Sequence, residues 1–200
     1  MKRVAVLVTL VFVLFAHNAE AYRLVYKEQL YELYHVQFYQ YPERIAENVK
    51  WLQMALKADF ANPLYALAEI EDKTDWTRYR RLFMMHVNLK LVELHIRWAG
   101  KYNKEVAYFY NAPWKEDNLN SLDRAESLFE TALAYWDEAL QWSEQAWELR
   151  TVHLEEIQKW SDENHRIETG ELDYEAIIGR HLDRLEEVRA GFEAMDENTY

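Results

Sequence analysis

The stretch T-A-L-A-Y-W-D-E-A-L-Q-W-S-E-Q-A-W-E-L, Thr131 to Leu149, carries three tryptophans within twelve residues and an alanine at every seventh position. Seven residues are close to two helical turns, so such a pattern stays on one side of an α-helix. At about 100° per residue, Leu122, Ala125, Phe129, Ala132, Leu133, Trp136, Ala139, Leu140 and Trp147 share one face. The alanines let another backbone come close, and the rings fill the gaps beside them. Each buried ring contributes about 2–3 kcal/mol by area. Leu128, Tyr135, Trp142 and Leu149 make a second stripe a quarter-turn or more away, continued by Ile157 and Trp160. Two apolar faces require two sets of neighbours. The first face is expected to meet the helices before it. For the second, two readings stand: more core with the returning last helix, or a groove for a partner.

Working outward, Asn120 is expected to open this helix, with Asp123 as its capping partner. No glycine or proline follows until Gly170. The pattern therefore predicts a rod of about fifty residues, ~70 Å long, with a break near Thr151 left unmarked. The last helix is expected from Asp173 to Met195. Its short link, Glu168 to Leu172, predicts that it folds back along the second half of the rod.

Upstream, apolar residues also recur at three and four. Tyr26 to Phe38 reads as a helix stopped by Pro42, and Ile45 to Leu56 as a second. Asn62-Pro63 reads as a cap and first residue of a short third helix reaching Ile70. A fourth is expected from about Asp75 to Ala99, with Gly100 in the left-handed conformation at its end. A fifth is expected from Tyr102 to about Asn111, stopped by Pro113. The fold class is all-α: an antiparallel helical array over 22–119, then a long helix and C-terminal helical hairpin over 120–200, in one domain.

Residues 1–21 read as a cleaved signal peptide. Lys2 and Arg3 precede an uncharged apolar run from Val4 to Ala16, and Ala19-Glu20-Ala21 has the small-x-small form of a cleavage site. The run is shorter than the ~20 residues of a bilayer crossing. An exported, periplasmic chain is expected, with secretion as the alternative. There is no cysteine, so packing alone must hold the fold. Removing Lys2, Arg3 and Glu20 leaves 21 basic and 34 acidic residues, a balance that repels nucleic acid. The charge is uneven. Lys73 to Lys104 holds eight basic residues against Asp75 and Glu93, whereas Glu116 to Tyr200 holds 23 acidic against seven basic. Either the two halves lie against each other, or the basic part docks an acidic partner.

Gly100-Lys-Tyr102 with Phe109 and Ala112 resembles the second helix of a tetratricopeptide repeat, and His86 to Ala112 fits one helix pair of that family. The Thr131–Leu149 stretch matches itself after seven residues rather than thirty-four, so it reflects helix packing and not a second repeat. More broadly, F-A-N-P-L-Y-A-L-A-E-I through Y-R-R-L-F-M-M-H-V-N-L-K-L-V-E-L-H to A-Y-F-Y-N-A-P-W, Phe60 to Trp114, resembles tetratricopeptide-like exported proteins of spirochaetes associated with the periplasmic flagellar motor and its collar. The resemblance implies a structural or assembly role in the periplasm.

No residue pattern announces a reaction. His86 and His95 are nine apart and so face opposite ways on a straight helix. His165 and His181 are the pair expected to meet across the final hairpin. There is no His-Glu-x-x-His, no Gly-x-Ser-x-Gly and no glycine-rich phosphate loop. The expectation is a non-enzymatic scaffold or adaptor without metal or cofactor. Its protein partner is expected to meet Arg78, Arg81, Lys101 and Lys104, and the rings of Trp142 and Trp160. Trp114, after Pro113, is a third ring expected to be exposed. The alternative is a small-ligand or glycan-binding module. A concave pocket lined by Trp and Tyr with converging polar groups distinguishes that module from an adaptor, which shows flat aromatic ridges.

Overall fold

The computed structural model describes residues 24–104 and 111–199. The expected signal peptide (1–21) and residues 105–110 of the expected Tyr102–Asn111 helix lie outside them. Among the described residues the fold is all-α. The helices are α1 (Lys27–Gln40), α2 (Ile45–Lys57), α3 (Lys73–Ala99), α4 (Lys115–Trp147), α5 (Gln158–Glu168) and α6 (Tyr174–Glu193). The only pairing of strand type among these residues is an isolated bridge between Tyr26 and Asp59. No described helix is long and apolar enough to cross a membrane.

The antiparallel pair α3–α4 forms the centre. Tyr79, Leu82, Phe83, Leu89, Val92 and Ala99 of α3 are buried, as are Leu122, Ala125, Phe129, Ala132, Trp136, Ala139 and Ala146 of α4. The heptad alanines thus allow the close approach expected of them. α1 and α2 cover the other side of α3, and α6 runs antiparallel along α4. Tyr174 packs on Trp136, His181 stacks on Phe129, and Arg189 bridges to Asp123 and Glu126 at 2.5 and 2.6 Å. The returning helix therefore meets the first stripe. The second stripe faces the preceding helices, where Tyr135 packs on His95 and accepts from Gln53 at 2.9 Å. Leu140, expected on the buried face, is partly exposed.

The rod is shorter than its sequence suggests. α4 begins at Lys115, after a 3-10 turn at Ala112–Trp114, so Asn120 lies inside the helix rather than at its cap. It ends at Trp147 after 33 residues, about 50 Å. The chain then turns, passes a 3-10 piece at Glu155–Ile157 and starts α5. Because of this break, α6 lies along α4 from Lys115 to Trp136, not along a second half of one rod. The cause of the break lies on other elements. Arg78 of α3 donates to the Ala146 carbonyl and, at 3.2 Å, to Asn164 Oδ1 of α5. Arg81 donates to the Gln145 carbonyl at 2.5 Å and to Glu148 at 2.9 Å. Asn164 Nδ2 donates to the Ser143 carbonyl at 2.9 Å. The carbonyls that a longer helix would use internally are taken by side chains, and the positive guanidinium groups sit at the negative end of the helix dipole.

Other ends follow their local chemistry. Asp72 caps α3 by accepting from the Thr74 and Asp75 amides, and Asp173 caps α6 by accepting from the Ala176 amide. Asn62 caps only a 3-10 turn, Pro63–Tyr65, so the expected third helix is one turn long. Gly100 stays right-handed, with φ −56°. The left-handed glycine is Gly170 after α5, at φ 76°, where the Leu172 amide reaches back to the Arg166 carbonyl at 2.9 Å. Lys101 to Lys104 is turn, not helix.

Arg78 is only 2% exposed, and burial, then the charge of Arg81, push its pKa down to about 10. It stays charged at neutral pH. Arg78→Ala is expected to cost about 3 kcal/mol, because it removes the buried guanidinium that donates to both the Ala146 carbonyl and Asn164 Oδ1. The exposed neighbour substitution Arg80→Ala should change stability by less than about 0.5 kcal/mol. Urea midpoints of the two variants check this, and equal midpoints would remove the capping role.

Candidate functional site

The expected contact residues do not form one surface. Arg78 is buried beneath the α4 terminus, and Trp160 is 5% exposed, packed in the core. Both corrections have the same origin: the break after Trp147 turns α5 inward against α1 and α3. Arg81 and Trp142 do come together, in a shallow groove of about 300 Å³ with Phe60, Arg80 and Met84. Lys101 donates to the Glu43 carbonyl at 3.3 Å. It and Lys104 follow the far end of α3, some 20 residues or roughly 30 Å from Arg81. Trp114 is exposed, as expected. His165 and His181 do not meet; one packs on Trp147 and the other on Phe129.

The larger concavity lies elsewhere, where α1, α3 and the start of α5 converge. It is a cleft of about 530 Å³ lined by Tyr31, Tyr34, His35 and Phe38 of α1, His86, Lys90 and Glu93 of α3, Leu67, and Glu156, Ile157, Lys159 and Trp160. The α1 residues fall at positions one, four, five and eight of a run, the spacing that puts them on one helix face. Their rings are ordered. Tyr34 stacks on Phe38 at 5.6 Å, Tyr31 on His35 at 6.1 Å, and Tyr31 stands edge-on to Trp160 at 5.8 Å. Trp160 lies nearly parallel to the His86 ring, 4.9 Å away.

A chain of polar contacts runs through this wall. Tyr31 Oη is 2.8 Å from His86 Nε2, and His86 Nδ1 is 2.5 Å from Glu163 Oε2. Lys90 Nζ is 3.5 Å from Glu163 Oε1 and donates to both oxygens of Glu93 at 2.8 and 2.9 Å. Tyr174 of α6 donates to Glu93 at 3.4 Å. Burial pushes the His86 pKa below 6.5, outweighing the opposite pull of Glu163. For Glu163, burial acts upward, but the His86 hydrogen bond and the charges of Lys90 and Lys159 hold it below 4.5. A neutral imidazole beside an ionised carboxylate carries its proton on Nδ1, donated to Glu163. Nε2 is then the acceptor of the Tyr31 O–H. Burial, ahead of the Glu163 charge, raises the Tyr31 pKa.

Residues 74–195 match a domain of unknown function, DUF8513, over more than half of the chain. The chain belongs to the DUF8513 family. No curated protein and no solved structure matches it. The DUF8513 match spans α3 to α6 and so includes His86, Lys90, Glu93, Trp160 and Glu163; the rings of α1 lie outside it.

Tyr31, Tyr34, His35 and Phe38 are not among the contact residues expected from the sequence, although their spacing on one face carries a signal. Nothing in the sequence marks Glu163 among 23 acidic residues of its half.

The neutral His86 gives a pH test. Its folded pKa is below the 6.5 of the unfolded chain, so the unfolded chain binds the proton first as pH falls. Stability should be level above pH 6.5 and decline as pH drops below it. Glu163, depressed from 4.5, adds a further loss below that value. In His86→Gln the decline beginning at 6.5 should become shallower, with His95, also held below 6.5 by burial, keeping the remainder, as read from urea midpoints at successive pH values.

Proposed function

We propose that this protein is a non-catalytic binding module that takes a small ligand, with a flat apolar face and a polar edge, into the cleft between α1, α3 and α5. The observation that carries this is the concave convergence of Tyr31, Tyr34, Phe38 and Trp160 with the His86–Glu163–Lys90 network. Ligand sites of this kind are largely apolar, with a few placed polar groups. The cleft also lies within the few-hundred-Å³ range of small-molecule pockets. Binding is favoured over catalysis by the state of Tyr31. Its hydroxyl is engaged by His86 and its raised pKa keeps it protonated, so it is not an activated nucleophile. Export to the periplasm is part of the same proposal and rests on residues 1–21. Amino-terminal sequencing of the protein from a periplasmic fraction is expected to begin at Tyr22.

Labelling with 5-fluorotryptophan tests the site. A ligand in the cleft should move the Trp160 fluorine resonance and leave that of Trp114, which is exposed elsewhere, in place. Phe38→Ala should weaken affinity about tenfold, equivalent to ~1.4 kcal/mol, without lowering the urea midpoint by the same amount. A ligand that shifts Trp142 and not Trp160 would move the site to the groove beside Arg81.

The scaffold reading is supported by a separate observation. Leu64 and Tyr65 are 88% and 74% exposed, side by side after the Asn62-Pro63 turn. As an adaptor in an envelope assembly, the protein would present this loop to a protein partner. In-cell crosslinks from position 64 should then disappear in Tyr65→Ser.

A further inference from the structure

Tyr31, Tyr34 and His35 line the cleft with groups that can donate or accept, and of these it is Tyr31 whose role is set by a hydrogen-bonded partner, His86. A phenol has one proton to donate and lone pairs with which to accept. In this protein the proton goes to His86 Nε2, 2.8 Å away. What is left for a ligand is a lone pair. His86 holds that arrangement only while its own proton stays on Nδ1, and Glu163 at 2.5 Å keeps it there. If the imidazole proton moved to Nε2, it would point at Tyr31, and the phenol proton would turn toward the cleft.

Tyr34 and His35 can donate or accept as a ligand requires. Glu93 and Glu156 accept only, and Lys90 is already held between Glu93 and Glu163. The charges of the lining balance, with Lys90 and Lys159 against Glu93 and Glu156. A net anion would face carboxylates and Tyr31's lone pair with little beyond Lys159 to receive it. A net cation would face two lysines. Aromatic rings cover the rest.

Resting on the cleft as the binding site, we infer that Glu163, acting through His86, fixes Tyr31 as an acceptor, and that the ligand is an uncharged, hydroxyl-rich molecule of saccharide type. Its hydroxyl groups donate to the wall while its carbon face lies on the rings. Glu163 and His86 are positioning residues here, since they act on the ligand through Tyr31.

Two measurements test the inference separately. The first needs no ligand: the ring nitrogens of His86 are read by ¹⁵N NMR at pH 7.5 in the full chain. The expected result is the Nδ1–H tautomer, with Glu163→Gln shifting the ring toward Nε2–H. An imidazolium, or an Nε2–H ring in the unsubstituted protein, overturns the assignment of Tyr31. The second uses calorimetry with cellotriose, trigalacturonate and spermidine as neutral, anionic and cationic probes. Cellotriose should bind most tightly, and Glu163→Gln should narrow its advantage over trigalacturonate about tenfold. Tightest binding of spermidine or trigalacturonate overturns the ligand class. Silence of all three probes overturns both the ligand class and the cleft as a sugar site, whereas the NMR result then still decides the proton arrangement. A Tyr31→Phe protein that keeps the full preference removes Tyr31 from recognition.

Discussion

The fold depends on a positive charge buried at the end of a helix. Arg78 carries its guanidinium into the core and meets no carboxylate there; its hydrogen bonds go to the Ala146 carbonyl and the Asn164 amide oxygen. An isolated buried cation is costly. What compensates it is the negative end of α4, where it adds a donor to the Ala146 carbonyl, which also accepts from the Leu149 amide at 3.0 Å. The arrangement fixes three things together: where α4 stops, how α3 lies against it, and where α5 must sit to bring Asn164 within reach. Ser143 extends the same junction, donating to Glu168 at 2.6 Å while its oxygen accepts from Asn164 at 2.8 Å.

The cleft follows from that junction. Once the chain turns after Trp147, α5 crosses toward α1, and Trp160 comes to lie against Tyr31, Phe83 and His86. Glu163, one turn further on, reaches His86 from the same helix. Structural capping and the polar wall of the cleft are therefore adjacent features of an eleven-residue helix: Asn164 serves one and Glu163 the other. A buried carboxylate needs a donor, and His86 supplies it.

The sequence makes the helices legible and their ends less so. The alanine heptad at 125, 132 and 139 correctly identifies the face of α4 that packs most tightly, because small residues permit only that approach. The end of α4 is not legible, since its capping groups are Arg78 and Asn164, one on α3 and the other on α5. No glycine or proline is needed when side chains from elsewhere take the carbonyls. For the same reason Arg78 reads as surface charge by its type and is buried by its partners. The stacked face of α1 is present in the spacing of Tyr31, Tyr34, His35 and Phe38, but which chain segment completes it depends on the unmarked turn at Glu148–Thr151. The uneven charge is partly resolved by packing: Arg81 meets Glu148, and Lys90 meets Glu163.

The division of the cleft between two parts of the chain has an evolutionary consequence. Its proton-holding side, His86 with Glu163, belongs to the segment shared with the DUF8513 family. Its stacking side is supplied by α1, outside that segment, apart from Trp160, which lies within it. A protein that kept the shared helices and exchanged only the leading one would retain the imidazole–carboxylate couple while presenting a different set of rings. The ring-bearing and the proton-holding sides of the cleft are thus written on separable pieces of polypeptide, and one can diversify without disturbing the other.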